Sequence, residues 1–178
     1  SDYGLKVESF DKDFDAVVKR SRNVAGGMSK GVQFLMKKNK IDVIEGFGKL
    51  KSNNTVTVTD KDGAAKDYEA KHIIIATGAR SRELPSMPQD GKKILGYREA
   101  MTLKKQPKKM IVVGSGAIGT EFAFFYNAMG TEVIIVEYLD RIVPLEDEEV
   151  SKQLEKSFKK SGIKIMTNSE VTEVDTTG

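Results

Sequence analysis

The sequence predicts an α/β fold made of two partial units: a helix followed by a β-meander, and then a parallel sheet with crossover helices. Two observations support this prediction. Residues 55–59 read TVTVT, an alternation of β-branched residues that is typical of a strand. From residue 110 onward, short apolar runs alternate with helical patterns, which is typical of parallel strands joined by right-handed crossovers.

The first half of the chain predicts one long helix and several strands. Residues 9–39 have the apolar spacing of a helix, and Ser9 is a candidate N-cap. The run Ile73–Ala76 is continuously apolar and predicts a strand buried on both faces. The other strands of this half are predicted at residues 41–45, 55–59 and 67–70.

The second half follows a connection over residues 80–106, where a short helix is predicted near residues 98–103. Beyond it, strands are predicted at residues 111–113, 133–136, 163–166 and 171–174. Helices are predicted between them at residues 117–129 and 147–160. We place the boundary between the two predicted domains, 1–84 and 85–178, inside the connection.

Composition excludes several classes of function. Basic and acidic residues are mixed along the 178 residues and the formal net charge is only +3, so we expect no nucleic-acid partner. The absence of cysteine excludes disulfides and thiolate metal sites within this chain, and a single histidine cannot form a histidine metal cluster. No apolar run reaches the roughly 18 residues of a membrane span, so we expect no membrane partner.

A glycine motif carries the strongest chemical signal. Residues 110–121 read MIVVGSGAIGTE, in which Gly114, Gly116 and Gly119 fit the pattern G-x-G-x-x-G between a strand and a helix. The first glycine permits a tight turn, the second lets a pyrophosphate approach the backbone, and the third lets the helix pack close to the strand. The helix N-terminus offers unpaired N–H groups to the phosphates. The predicted loop comprises Gly114, Ser115, Gly116, Ala117, Ile118, Gly119, Thr120 and Glu121.

Two glutamates near this motif are candidate ligands. Glu137 ends the second strand, near the position expected for the acid that accepts the adenosine ribose hydroxyls of NAD and repels the 2′-phosphate of NADP. The alternative is an ordinary α/β loop with a surface glutamate. Glu121 lies in the first helical turn, where it could complement the helix dipole or contact the far half of the cofactor.

The order of these motifs resembles a known family. Residues 46–49 read GFGK, residues 73–80 read IIIATGAR, and residues 136–144 read VEYLDRIVP. Together with the glycine motif, this order resembles the middle of the dihydrolipoamide dehydrogenases, which belong to the flavoprotein disulfide reductases. The resemblance runs over essentially the whole chain.

The resemblance implies a partial FAD-binding domain at residues 1–84 and a truncated NAD-binding Rossmann domain at residues 85–178. It implies that Gly48 meets the adenine end of FAD, and that Thr77, Gly78 and Ala79 pass beside FAD. It also implies that the glycine loop cradles NAD, that Glu137 holds the adenosine ribose, and that Val171 packs on the adenine of NAD.

The activity implied by the resemblance is oxidation of dihydrolipoyl groups of 2-oxo acid dehydrogenase complexes, with electrons passing through FAD to NAD. The family's redox disulfide and acid–base pair would lie outside this chain, so we expect no catalytic residue in it and no turnover by it alone. The resemblance also implies a homodimeric, cytoplasmic parent protein. A mercuric-reductase-like enzyme, a transhydrogenase and a non-catalytic nucleotide-binding module remain alternatives.

Overall fold

The computed structural model describes Gly4, Lys6 and residues 8–177. Its contacts divide the chain into two compact units. One contains the residues up to Ser21 together with those from Ser81 onward, and the other is Arg22–Arg80. Within the described residues, no helix is both long enough and apolar enough to cross a membrane.

The first helix, α1 (Phe14–Lys38), begins later than the sequence predicted. Asp13 lies at its N-terminus and accepts a hydrogen bond from the N–H of Ala16 at 2.9 Å. An aspartate in this position satisfies one of the N–H groups that a helix start leaves unpaired. The prediction of Ser9 as the N-cap is therefore wrong, because the helical turn starts only where Phe14 becomes buried.

The meander consists of β1 (Phe47–Ser52), β2 (Thr55–Thr59) and β3 (Ala65–Glu69). The strands are antiparallel in the order β1-β2-β3, with the predicted TVTVT strand in the centre. The strand predicted at residues 41–45 does not form, and the first strand begins after Gly46 instead. A Cβ atom at Gly46 would lie 2.6 Å from the carbonyl oxygen of Thr59, so only glycine fits at this entry.

The apolar run at residues 73–76 also differs from its prediction. It forms no strand, and the side chains of Ile74 and Ile75 are 90% and 68% exposed. A strand buried on both faces needs neighbouring strands and a covering layer on each side. The residues that the structure describes supply neither for this run, so its composition alone does not make it a strand here.

The parallel sheet consists of β4 (Lys109–Val113), β5 (Glu132–Val136) and β6 (Lys164–Met166), in that order. Helices α3 (Ala117–Ala128) and α4 (Glu148–Lys160) connect its strands, and the short helix α2 (Tyr97–Ala100) precedes it. This confirms the predicted alternation of strand and helix. The strand predicted at residues 171–174 is wrong, because those residues join neither sheet.

The core of this unit lies between the sheet and its helices. Val133 and Ile135 on β5 are fully buried, as are Ala123 and Tyr126 on α3. The start of α1 joins this core, with the ring centroid of Phe14 6.1 Å from that of Tyr126. Packing of α3 against β4 and β5 fixes the carboxyl ends of these two strands, which is where open α/β sheets bind ligands.

Candidate dinucleotide site

At two positions of the loop, backbone conformation or packing within the chain calls for glycine. Gly114 has a φ of +92°, which favours glycine, and its N–H donates to the carbonyl of Val136 at 2.8 Å. A Cβ atom at Gly119 would lie 2.3 Å from the carbonyl oxygen of Gly114 and 3.3 Å from Cγ1 of Val112. Gly114 therefore makes the turn out of β4, and Gly119 lets α3 approach that strand.

Gly116, unlike Gly114 and Gly119, is not required to be glycine by its backbone conformation or by packing within the described chain. It is the N-cap of α3 with a φ of −64°, and a Cβ atom there would have no heavy atom within 4 Å. No side chain caps this helix start. The first N–H groups of a helix have no intrahelical acceptor, so they remain available to an anion. The open space over Gly116 and the uncapped helix start fit a dinucleotide pyrophosphate.

Glu137 meets the loop at Ser115, where β5 ends beside the turn from β4. The N–H of Ser115 donates to Oε2 of Glu137 at 2.8 Å, and the Ser115 hydroxyl donates to the same oxygen at 2.5 Å. The N–H of Leu139 donates to Oε1 at 2.9 Å. Only 6% of Glu137 is exposed, so its carboxylate is held by donors that belong to the protein.

These donors also set the ionisation of Glu137. Burial raises the pKa of its carboxyl, but hydrogen bonds from Leu139, Ser115 and Tyr138 outweigh burial and hold the pKa below its usual range. Glu137 is therefore a carboxylate at neutral pH. A fixed, ionised acceptor of this kind suits ribose hydroxyls and repels a phosphate.

The segment after β5 folds back onto the glycine loop, and we call residues 138–147 the return loop. Its Val143 N–H donates to the carbonyl of Ser115 at 3.0 Å. Val143 has a φ of +41°, which is rare for a β-branched residue, and only 8% of it is exposed. The contacts of the return loop have no signal in the sequence pattern, because Leu139 and Val143 make them with backbone N–H groups.

Arg141 of the return loop is held by its own segment. Its Nη2 donates to the carbonyl of Pro144 at 3.2 Å, and its Nη1 lies 3.7 Å from Asp140. An arginine near the ribose acid would be the residue to bind the 2′-phosphate of NADP. The contacts of Arg141 are with neighbours in sequence, which favours NAD at this site.

The other predicted loop residues lie on the first turns of α3. Ala117, Ile118 and Glu121 are exposed. Thr120 is buried, and its hydroxyl donates to the carbonyls of Gly116 and Ala117 at 3.1 and 2.9 Å. Glu121 has no ion pair in the described part of the chain, so both interpretations of it stay open.

The residues predicted to meet FAD lie in the Arg22–Arg80 unit. Gly48 is an exposed residue of β1, opposite Val58. Thr77, Gly78 and Ala79 lie in an exposed segment without regular structure, where Gly78 has a φ of +74°.

Val171 belongs to the other unit, is half-buried and lies outside any strand. Its assignment to the adenine of NAD stays a prediction. Across the described residues, His, Asp and Glu side chains form no group of three or more that could hold a metal.

Comparison with known proteins identifies the family. The family model described as pyridine nucleotide-disulphide oxidoreductase matches residues 5–178. A dihydrolipoyl dehydrogenase of Zymomonas mobilis is 50% identical over 167 residues, which is 94% of this chain and 36% of the relative. A mitochondrial dihydrolipoyl dehydrogenase of Arabidopsis thaliana is 38% identical over 98% of this chain and 34% of the relative.

A solved structure agrees with these relatives. LpdA from Mycobacterium tuberculosis superimposes with a TM-score of 0.87 at 30% identity, covering 96% of this chain and 39% of LpdA. The chain thus spans little more than a third of the length of the proteins that it matches. Since the family model covers nearly all of it, the chain belongs to the pyridine nucleotide-disulphide oxidoreductase family.

Proposed function

We propose that this chain forms the adenosine and pyrophosphate half of an NAD site in a dihydrolipoyl dehydrogenase. The observation that carries the proposal is the ionised Glu137 held beside the glycine loop by Ser115. The uncapped start of α3 and the open space at Gly116 support it. The identity to dihydrolipoyl dehydrogenases favours this member of the family.

In this proposal, the chain's residues bind and orient the cofactor. The N–H groups at the start of α3 would hold the pyrophosphate, and Gly116 leaves room for it. Glu137 would accept a hydrogen bond from the adenosine ribose and disfavour a 2′-phosphate. When bound, FAD and NAD supply the electron transfer from a dihydrolipoyl dithiol to a nicotinamide.

The first part of the chain is proposed to flank FAD. Gly48 would meet the adenine end of FAD, and Thr77, Gly78 and Ala79 would pass beside it. A Cβ atom at Gly48 would make only an ordinary contact with Val56 at 3.5 Å, so packing within the meander does not require glycine there. We keep the proposed boundary between an FAD-binding part and an NAD-binding part at residues 84 and 85.

The proposed partners follow from the proposed activity. They are the dihydrolipoyl groups of 2-oxo acid dehydrogenase complexes and a second copy of the whole protein. We propose a cytoplasmic location. The Arabidopsis relative is a mitochondrial protein, so cell fractionation is the test that distinguishes the two locations.

Calorimetric titration with NAD and NADP tests the function. Glu137→Ala is expected to weaken NAD binding by about 1–3 kcal/mol, through loss of a hydrogen bond to a charged group. The same variant should narrow the preference for NAD over NADP. Glu132→Ala is the matched control, because Glu132 begins β5 and Glu137 follows the end of that strand.

The two variants separate a site effect from a general effect on the strand. Equal NAD affinity in the wild type and Glu137→Ala would remove Glu137 from the site. An equal loss in Glu132→Ala would assign the effect to the sheet rather than to the carboxylate.

A further inference from the structure

Ser115 is part of the glycine loop, but all its polar groups are used inside the protein. Its N–H and hydroxyl donate to Oε2 of Glu137 at 2.8 and 2.5 Å. Its carbonyl accepts from the N–H of Val143 at 3.0 Å. None of Ser115 is exposed to solvent. Direct contact between Ser115 and a cofactor would therefore break bonds that the loop already makes.

The same bonds distribute the acceptor capacity of Glu137 unequally. Each carboxylate oxygen has about two lone-pair positions. The two donors of Ser115 fill both positions on Oε2. The Tyr138 N–H also lowers the pKa of this carboxyl, but among the described residues the donors with hydrogen-bond geometry to it are those of Ser115 and Leu139. Oε1 accepts from the N–H of Leu139 and keeps one position. The oxygen with remaining capacity is thus Oε1.

We propose that Ser115 is a positioning residue that acts on NAD only through Glu137. By filling Oε2, it leaves Oε1 to accept one hydroxyl of the adenosine ribose, rather than both oxygens accepting the two hydroxyls. This inference rests on the proposed NAD-binding function of the site.

The surroundings of Glu137 make the Ser115 hydroxyl effective. A hydroxyl donor to a carboxylate makes a stronger bond than it makes to a neutral acceptor. The groups that touch Glu137 from β6 and beyond are also uncharged: the Met166 carbonyl accepts from its N–H, and the Ser169 N–H donates to its carbonyl. No salt bridge in the described residues includes Glu137, so hydrogen bonds hold its carboxylate.

A double-mutant cycle tests the proposal on the protein in its full encoded length. Ser115→Ala is expected to weaken NAD binding about tenfold, by loss of one hydrogen bond to a charged group. In a Glu137→Ala background, the same substitution should cause no further loss. Two groups that act through one contact show this lack of additivity. NADP affinity should change little in Ser115→Ala.

Ser151→Ala is the matched control for removing a buried serine hydroxyl. Ser151 is 1% exposed, and its hydroxyl donates to the carbonyl of Val143 at 3.3 Å rather than to Glu137. In NMR spectra, the Glu137 carboxyl carbon should titrate at a higher pH in Ser115→Ala than in the wild type. Ser151→Ala should leave that midpoint unchanged, since a merely structural defect would not move it.

A second test uses the wild-type protein and so does not depend on whether a variant folds. The hydroxyl proton of Ser115 should exchange slowly and keep its NMR signal when NAD is added, because NAD is accepted at Oε1. Loss of that signal on NAD binding would overturn the proposal, since NAD would then have displaced the Ser115 hydroxyl from Oε2.

The outcomes of the cycle separate this inference from the proposed function. An equal loss from Ser115→Ala in both backgrounds would show direct contact with NAD and overturn the inference. No loss from Ser115→Ala, with a clear loss from Glu137→Ala, would overturn it while leaving the NAD site intact. No effect of either substitution would remove the proposed function and the inference together.

Discussion

Gly116 and Gly119 should respond in opposite ways to the same substitution, although they belong to one motif. At Gly119, a methyl group would lie 2.3 Å from the carbonyl oxygen of Gly114. At Gly116, it would lie in open space. Gly119→Ala should therefore destabilise the folded chain, whereas Gly116→Ala should mainly weaken binding of NAD.

The magnitudes follow from the contacts. Overpacking of a methyl group costs about 1–3 kcal/mol, and replacing glycine by alanine in a helix returns about 0.5–1 kcal/mol. The obstacle at Gly119 is backbone, which cannot rotate away, so we expect a net loss of about 1–2 kcal/mol. At Gly116, the weaker N-cap costs about 0.5–1 kcal/mol, and the reduced freedom of the unfolded chain offsets a similar amount.

Urea denaturation of both variants without cofactor, followed by NAD titration of each, measures the two effects separately. Gly119→Ala should lower the denaturation midpoint and the melting temperature, the latter by roughly 2–8 °C. Gly116→Ala should keep the wild-type midpoint but bind NAD more weakly. The same loss of stability in both variants would refute the assignment of Gly119 to helix–strand packing and of Gly116 to the ligand.

Three further predictions concern the core and the buried carboxylate. Tyr126→Phe should lower the free energy of unfolding by about 1–2 kcal/mol, because the Ala100 carbonyl loses the 2.6 Å bond from the tyrosine hydroxyl; a urea melt indistinguishable from wild type would contradict this. Phe14→Ala should lower the free energy of unfolding by roughly 3 kcal/mol in the same assay, since its ring packs against Tyr126 and Phe125. A decrease below about 1 kcal/mol would show that the start of α1 does not belong to the core. Because the pKa of Glu137 is lower in the folded state, the ionised carboxylate stabilises the folded state fully above its unfolded pKa, and this stabilisation is lost as pH falls through the folded pKa. Between roughly pH 5 and pH 3, the melting temperature of the wild type should therefore fall more steeply than that of Glu137→Gln. Parallel curves for the two proteins would contradict this.

Local sequence patterns predicted the parts of the fold whose stabilising neighbours are close along the chain. The TVTVT strand pairs with β1 and β3 through short turns, and its alternation predicted it correctly. The alternation of strand and helix after residue 109 correctly indicated parallel crossovers. By contrast, the apolar run at residues 73–76 was predicted as a strand and is not one, because a strand also needs partners, which composition cannot supply.

The three glycines of the site also show what the sequence pattern predicted and what required the structure. The spacing of Gly114, Gly116 and Gly119 predicted a phosphate loop, and the strand before it and the helix after it are present. The motif assigned a separate role to each glycine, and the structure agrees with two of these roles, the turn at Gly114 and the close helix–strand packing at Gly119. Gly114 and Gly116 both have open space at the Cβ position, but the positive φ of Gly114 already favours glycine there. Of the three, Gly116 is therefore the one for which neither its φ nor a contact within the described chain calls for glycine.

The sequence by itself determined which residues could bind a dinucleotide, since residue type and spacing specify a glycine turn, a helix start and an acid at the end of the second strand. The tertiary structure decided how that acid is used. Parallel pairing of β4 with β5 brings Ser115 to the carboxylate of Glu137, and the backbone of the return loop holds both residues. The bonds between Ser115 and Glu137 and between Val143 and Ser115 join residues distant in sequence. Most of the donors are backbone N–H groups, which every residue but proline carries, so the pattern of side chains did not predict these bonds.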